Sequence, residues 1–180
     1  MKLTTINPGL VAGTPMEIAA VIHGYMPAMS QTQIFDWLNK EAETAPQVLV
    51  TDLHRLTAEL RRINLGLCVM TNDAENPARA HLASVEALDL FDFVIGSDSG
   101  FGAKPDAAPL LALADKMDIP AAACVMVGDS THDLHAGRAA GMRVVAVLTG
   151  LAKVAELAPL ADAVLPDVSY LPAWISAQNS

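Results

Sequence analysis

The chain has few residues of the kinds that mark secreted, membrane or nucleic-acid-binding proteins. Its 180 residues include two cysteines, 4% aromatic residues, and 11 Lys and Arg against 20 Asp and Glu. A net charge of −9 argues against nucleic acid or an anionic membrane as the main partner, because both attract clustered basic side chains. No apolar run is long enough to span a bilayer, and the N-terminus lacks the pattern of a signal peptide. We therefore expect a cytoplasmic protein that binds neither nucleic acid nor membrane.

The two cysteines do not suggest a metal site or a disulfide framework. Cys68 and Cys124 both lie in apolar, strand-like runs and lack the spacing of metal ligands. We expect both to be buried, reduced thiols. A chain of this length can form one domain with a substantial core, together with a small appendage.

Two helices are predicted in the N-terminal part of the chain. Thr14 and Ser30 each begin a capping box, the pattern in which the first residue and the one three positions later cap the start of a helix. Neither helix carries a set of residues that suggests chemistry, so we expect residues 1–47 to form a packed helical pair. The apolar residues at helical spacing are Ile18, Val21, Ile22 and Tyr25 in the first helix, and Ile34, Trp37 and Leu38 in the second.

From about residue 48 the pattern changes to helices that alternate with short apolar runs. This alternation predicts an α/β fold with a mostly parallel, Rossmann-like sheet. The predicted strands cover residues 65–70, 91–95, 125–128, 143–148 and 163–165, and the predicted helices begin near Asp52, Pro77, Pro105 and Ser130, the last ending near Ala140.

Polar residues follow three of the predicted strands. They are Thr71 and Asn72, then Lys104, then Asp129 and Asp133. Parallel strands present their carboxyl ends at one edge of the sheet, so these side chains should meet there. Two close carboxylates repel each other unless a proton or cation is near, and Mg²⁺ prefers such hard oxygen ligands. With a hydroxyl, an ammonium and helix-start N–H groups, this set could hold a phosphate together with Mg²⁺.

Each of these residues also has an ordinary structural explanation. Thr71 could cap a helix, and Lys104 could be a solvated surface lysine. Asp129 and Asp133 could be a helix cap and a first-turn acid that interacts with the helix dipole. Their order along one alternating series of helices and strands favours the shared site.

Three stretches of the chain resemble the second, third and fourth motifs of the haloacid dehalogenase superfamily. The resemblance runs from about residue 48 to residue 167 and is closest to the phosphoglycolate-phosphatase-like branch, which has a helical cap after its first core strand. It implies a partial cap over residues 1–47 and an α/β core over residues 48–180. The matching stretches are Val69-Met70-Thr71-Asn72, Gly102-Ala103-Lys104-Pro105 and Val127-Gly128-Asp129-Ser130-Thr131-His132-Asp133, with Gly137 and Gly141 behind the last.

The resemblance implies a Mg²⁺-dependent phosphomonoester hydrolase that acts on a small phosphorylated metabolite, with phosphoglycolate as the leading candidate. Thr71 and the Asn72 amide would hold the phosphate, and Lys104 would bridge phosphate and nucleophile. Asp129 would bind Mg²⁺, and Asp133 would support the metal shell or Lys104. Asp129 and Asp133 are thus the predicted metal residues.

The first motif of the family is not found in the sequence. That motif is an apolar strand ending in Asp-x-Asp, in which the first Asp is the nucleophile and the second the general acid and base. The nearest imitation is residues 48–54, where Asp52 follows an apolar run. Only one helix separates this stretch from the strand before Thr71, and the leucines after Asp52 have helical spacing. We therefore expect Asp52 to cap a helix.

In the family, the strand that carries the first motif lies in the centre of the sheet. We expect that the chain begins inside the cap, and that the resulting gap destabilises the protein or is closed by another segment. Residues 2–6, residues 47–51 or a strand from a partner chain, as in a homodimer, could close it.

The alternative function is a catalytically inactive module that binds phosphate or a partner. A receiver-like signalling domain is disfavoured, because its acidic pair comes early in the chain, whereas Asp129 and Asp133 come last.

Overall fold

The computed structural model describes residues 13–178. No helix in this range is long and apolar enough to cross a bilayer. The helices are α1 (Pro15–His23), α2 (Gln31–Glu43), α3 (Leu53–Arg61), α4 (Glu75–Ser84), α5 (Ala108–Lys116), α6 (Thr131–Ala139), α7 (Val154–Leu157) and α8 (Leu171–Gln178), and the strands are β1 (Cys68–Met70), β2 (Phe93–Ile95), β3 (Val125–Gly128), β4 (Arg143–Val147) and β5 (Ala163–Leu165).

The described strands form two parallel sheets. β1 pairs with β2, with Val69 opposite Val94. The second sheet has the order β3-β4-β5, with Met126 opposite Val144. Helices connect the strands, as parallel pairing requires. The predicted α/β class with a mostly parallel sheet and helices in the N-terminal part is therefore confirmed.

The two sheets share their hydrophobic layers. Met70 at the end of β1 packs in one cluster with Leu110 of α5 and Met126 of β3. Leu67, just before β1, packs in another cluster with Val127 and Val145. Yet no described strand pairs with the outer edge of β1 or of β3. Within residues 13–178, two half-sheets thus contribute to common layers without being joined by hydrogen bonds between strands.

The helix starts follow the predicted capping patterns. Thr14 and Ser30 each form the full capping box, in which side chain and backbone bond reciprocally. Asp52 caps α3, and its Oδ1 accepts from the N–H of Arg55 at 3.1 Å. The predictions for all three residues are confirmed, and Asp52 does not follow a strand.

Several predicted element boundaries are wrong. α4 begins at Glu75 instead of Pro77, because the carboxylate of Asp98 accepts the Glu75 N–H at 2.8 Å and caps the helix from another loop. α4 ends at Ser84, and Glu86 adopts a positive φ of 56°. β1 begins at Cys68 instead of residue 65. The Leu67 N–H donates to the Asp92 carboxylate at 2.8 Å, so it is not available for pairing with a strand.

α1 and α2 pack against each other, and α2 also packs against α4 of the α/β part. A hydrogen bond of 2.6 Å between His81 Nε2 and the Ala42 carbonyl joins these two helices. The division into a cap over residues 1–47 and a core over residues 48–180 remains a prediction.

The two cysteines are free, as predicted, but half-buried instead of fully buried. Burial raises the pKa of both Cys68 and Cys124, so both favour the neutral thiol.

The segment before α3 does not close the gap between the sheets. Val48, Leu49 and Val50 are 91%, 48% and 58% exposed, and they form no strand. The hypothesis that residues 47–51 supply the central strand is therefore wrong. Residues 2–6, the other candidate within the chain, lie outside the described residues.

We predict that the purified chain self-associates or is poorly soluble, because the edges of β1 and β3 that no described strand pairs with can recruit other strands. Val125→Lys should reduce this association, since Val125 lies on β3 and is already 36% exposed. Val154→Lys, which adds the same charge to the short helix α7, is the control. Size-exclusion chromatography with light scattering measures the effect. A sharp two-state melt of a monomeric wild-type chain would contradict the prediction.

Candidate active site

Lys104 is held between two elements at the carboxyl end of β1. Its Nζ lies 2.6 Å from Oδ1 of Asp133 and donates to the Met70 carbonyl at 2.9 Å. Both side chains are largely buried, with 10% and 8% exposed for Lys104 and Asp133. A buried ion pair keeps its geometry because each partner would be costly to leave alone.

Asn72 fixes the backbone of Lys104. The Asn72 side chain accepts from the Lys104 N–H and donates to the Lys104 carbonyl, each at 2.9 Å. Gly100 and Gly102 supply the positive φ values of 87° and 86° with which the chain turns into this position. These two hydrogen bonds hold the backbone of Lys104 against the residues that follow β1.

Asp133 accepts hydrogen bonds from the turn after β3 in addition to its contact with Lys104. Its Oδ2 accepts from the backbone N–H groups of Asp129 and Ser130, at 3.2 and 3.1 Å, and from the Ser130 hydroxyl at 2.8 Å. Gly128 permits this packing, because a Cβ at that position would lie 2.2 Å from the Asp133 Cβ. Both carboxylate oxygens of Asp133 thus already accept hydrogen bonds.

The carboxylate of Asp129, unlike that of Asp133, is half-buried without hydrogen bonds from described side chains. Burial and the nearby Asp133 raise the pKa of Asp129, an effect that Lys104 opposes. Among the described residues, no other side chain donates a hydrogen bond to this carboxylate. Gly150 closes over it, since a Cβ there would lie 2.7 Å from Asp129 Cγ. A partly desolvated carboxylate without a side-chain donor among the described residues is well suited to bind a cation.

Thr71 follows β1 directly, next to Met70. Its hydroxyl donates to Oδ2 of Asp73 at 3.2 Å and accepts from the Asp73 N–H at 3.1 Å. The N-cap of α4 is Ala74, which makes no side-chain cap. The alternative that Thr71 caps this helix is therefore wrong.

The structure brings the three predicted stretches to one edge. Lys104 contacts Asp133 and the Met70 carbonyl, Asn72 contacts Lys104, and Asp133 holds the backbone of Asp129. The functional roles given to these residues remain predictions. Asp73, whose carboxylate accepts from the Thr71 hydroxyl, was not among the residues predicted from the sequence for this site. Its position directly after Thr71 and Asn72 could have indicated that it lies at this edge.

The candidate metal ligands at this edge are carboxylates, the donor type that Mg²⁺ prefers. No cluster of three or more His, Cys, Asp or Glu side chains suited to a metal occurs in residues 13–178. Mg²⁺ commonly keeps several waters and uses one or two carboxylates with substrate phosphate oxygens. Asp129 suits the part of a direct ligand. Direct ligation by Asp133 remains a prediction, and it would compete with the hydrogen bonds that Asp133 already accepts.

Comparison with known proteins gives the family. The model of haloacid dehalogenase-like hydrolases matches residues 19–147. The chain belongs to this family. The match confirms the resemblance drawn from the three motifs, and it covers β1 through β4 together with part of α1 and all of α2.

Two relatives are named phosphoglycolate phosphatase. The protein of Rhodospirillum rubrum is 41% identical over 117 residues, which are 64% of this chain and 47% of the relative. The protein of Xanthomonas campestris pv. campestris is 38% identical over 154 residues, or 83% of this chain and 69% of the relative. The chain thus spans about half the length of the first relative.

A solved structure shows the same fold. It comes from Bacteroides fragilis and is described as a haloacid dehalogenase-like hydrolase. Its TM-score is 0.77 at 22% identity, and the match covers 93% of this chain and 84% of that chain.

We predict opposite effects on stability for the two aspartates. Asp129→Asn should raise the urea midpoint of the metal-free protein at pH 7, because a carboxylate whose pKa is raised by folding costs stability when ionised. The gain should disappear below the ordinary pKa of 3.8, where the carboxyl is protonated in both states. Asp133→Asn should instead lose about 3 kcal/mol, since it leaves Lys104 unpaired.

Urea unfolding at pH 7 and pH 3.5, followed by circular dichroism, measures both effects. Equal destabilisation by the two variants at pH 7 would contradict the prediction.

Proposed function

We propose that this chain carries the phosphate-binding part of a Mg²⁺-dependent phosphomonoester hydrolase. The observation that supports this most is the position of Lys104, whose buried ammonium contacts Asp133 and the carbonyl of Met70, the residue before Thr71. Hydrolysis of a phosphate ester spreads negative charge over the phosphoryl oxygens, and a fixed cation stabilises that charge without reorganising.

Each residue has a distinct part in this proposal. The Thr71 hydroxyl donates to one phosphoryl oxygen, and the Lys104 ammonium neutralises another. Asn72 keeps Lys104 in place through its backbone, and Asp133 orients the ammonium from the other side. Phosphate binding would add an acceptor to Lys104, whose Nζ already donates to Met70 O and Asp133 Oδ1 and has one proton left.

Asp129 is the residue that would hold Mg²⁺, which supplies further positive charge for the phosphoryl oxygens when bound. The raised pKa of Asp129 is consistent with this part, because a cation relieves the cost of its ionised form. Asp133 would act through the turn that positions Asp129, since it accepts from the Asp129 N–H.

The substrate we propose is a small phosphorylated metabolite, with phosphoglycolate as the leading candidate. Relatives named phosphoglycolate phosphatase, at 41% and 38% identity, support this choice. The net charge of −9 favours a small ligand that a local cation can capture over nucleic acid. A cytoplasmic location and a homodimer remain predictions.

The alternative is a catalytically inactive module that binds phosphate or a partner. One observation favours it: Asp52, the nearest candidate for a nucleophile in the sequence, caps α3 with its carboxylate. Both functions use Thr71, Lys104 and Asp129, so they differ only in turnover. Tungstate binding without turnover would favour the inactive module.

We predict that Lys104→Ala lowers Mg²⁺-dependent phosphate release from p-nitrophenyl phosphate by about 100-fold or more. It should also weaken tungstate binding, which tests the site even where turnover is absent. Lys40→Ala is the matched control, because Lys40 is an exposed lysine on α2 that forms no hydrogen bond or ion pair with another described side chain. Equal tungstate affinity in wild type and Lys104→Ala would contradict the proposal.

We also predict that Asp52→Asn leaves the rate of phosphate release unchanged, because an asparagine side chain still accepts from the Arg55 N–H and caps α3. The same assay measures it. A robust wild-type rate that vanishes in this variant would make Asp52 the nucleophile and overturn our interpretation of the segment before α3.

A further inference from the structure

Asp73 places a negative charge directly beside the hydroxyl that the proposed function assigns to phosphate. Its Oδ2 lies 3.2 Å from Thr71 Oγ1, and the residue is exposed. A threonine hydroxyl has one proton to donate. In this structure Thr71 donates it to Asp73, so a phosphate oxygen must compete for it.

Backbone contacts hold the turn that carries Asp73 next to Thr71, whose hydroxyl accepts from the Asp73 N–H at 3.1 Å. The Asp73 carbonyl accepts from the backbone N–H of Ser97 at 2.9 Å and from the Ser97 hydroxyl at 3.3 Å. The backbone of Gly96 also packs against this turn, because a Cβ on Gly96 would lie 2.7 Å from the Asp73 carbonyl oxygen and 2.3 Å from the Glu75 nitrogen. The main chain at Asp73 has little room to withdraw from an incoming anion.

We infer that Asp73 is a selectivity residue that weakens anion binding at Thr71, both by engaging the Thr71 hydroxyl and by repelling the anion. This inference rests on the proposed function. Two negative groups about 4 Å apart repel even in a water-like medium, by an amount equivalent to about 5-fold in affinity for a single charge pair. The penalty grows with the negative charge of the ligand, so dianions lose more than monoanions.

Two substitutions separate the two contributions. Asp73→Asn removes the charge but keeps an oxygen that accepts from Thr71. Asp73→Ala removes both and leaves the hydroxyl proton available to the ligand. Asp89→Asn is the matched control, because Asp89 is exposed and its carboxylate forms no hydrogen bond or ion pair within residues 13–178. This change alters the net charge equally.

The test is titration of the full chain with tungstate and with inorganic phosphate by isothermal calorimetry at low and high salt. We expect Asp73→Asn to tighten binding by about 3- to 10-fold at low salt, Asp73→Ala by at least as much, and Asp89→Asn by less than about 2-fold. The advantage of Asp73→Asn should shrink at high salt, because screening weakens repulsion at an exposed site. A role in folding alone would not produce this salt dependence.

The outcomes separate this inference from the proposed function. Binding that Lys104→Ala abolishes but that neither Asp73 variant tightens would leave the proposed function standing and overturn the role of Asp73. Weaker binding by Asp73→Asn would also overturn it, since the carboxylate would then help the anion. Absence of binding in wild type and in every variant would overturn both.

Discussion

The buried ion pair between Lys104 and Asp133 is the constraint on which the candidate site depends. One carboxylate oxygen of Asp133 accepts from the Lys104 ammonium, and the other accepts from the turn after β3. The same ammonium also donates to the Met70 carbonyl at the end of β1. Burying the two charges costs desolvation energy. Well-packed apolar side chains in place of this ion pair would therefore give a protein of similar or greater stability. What the pair provides is position, because it fixes one cation where three chain segments meet.

The same pair links the two half-sheets, which no described strand joins. Met70 and Met126 share a hydrophobic cluster, and Leu67 and Val127 share another, so side-chain packing continues across a boundary that backbone pairing does not cross. The site lies at this boundary. A segment that paired with the edges of β1 and β3 that no described strand occupies would lie next to Lys104, because the Lys104 ammonium contacts both the end of β1 and Asp133.

The sequence predicted those features that arise from neighbours along the chain. Capping by Thr14, Ser30 and Asp52 needs only a side chain and an N–H a few residues away, and all three caps are present. Features that join distant segments escaped prediction, because no local pattern encodes them. The Asn72 clamp on the Lys104 backbone spans 32 residues, and the Asp98 cap that moved the start of α4 spans 23. The convergence of the strand ends was predictable only because parallel strands share an edge.

The most direct test of the central claim is a crystal structure of the chain with tungstate and Mg²⁺, in which anomalous scattering locates the tungsten. The account predicts one strong site within hydrogen-bonding distance of Thr71 Oγ1 and Lys104 Nζ, with Mg²⁺ on the Asp129 carboxylate. Tungsten bound elsewhere, for instance at the cavity of about 330 Å³ lined by Arg138 and Arg143, with the strand edge empty, would contradict it.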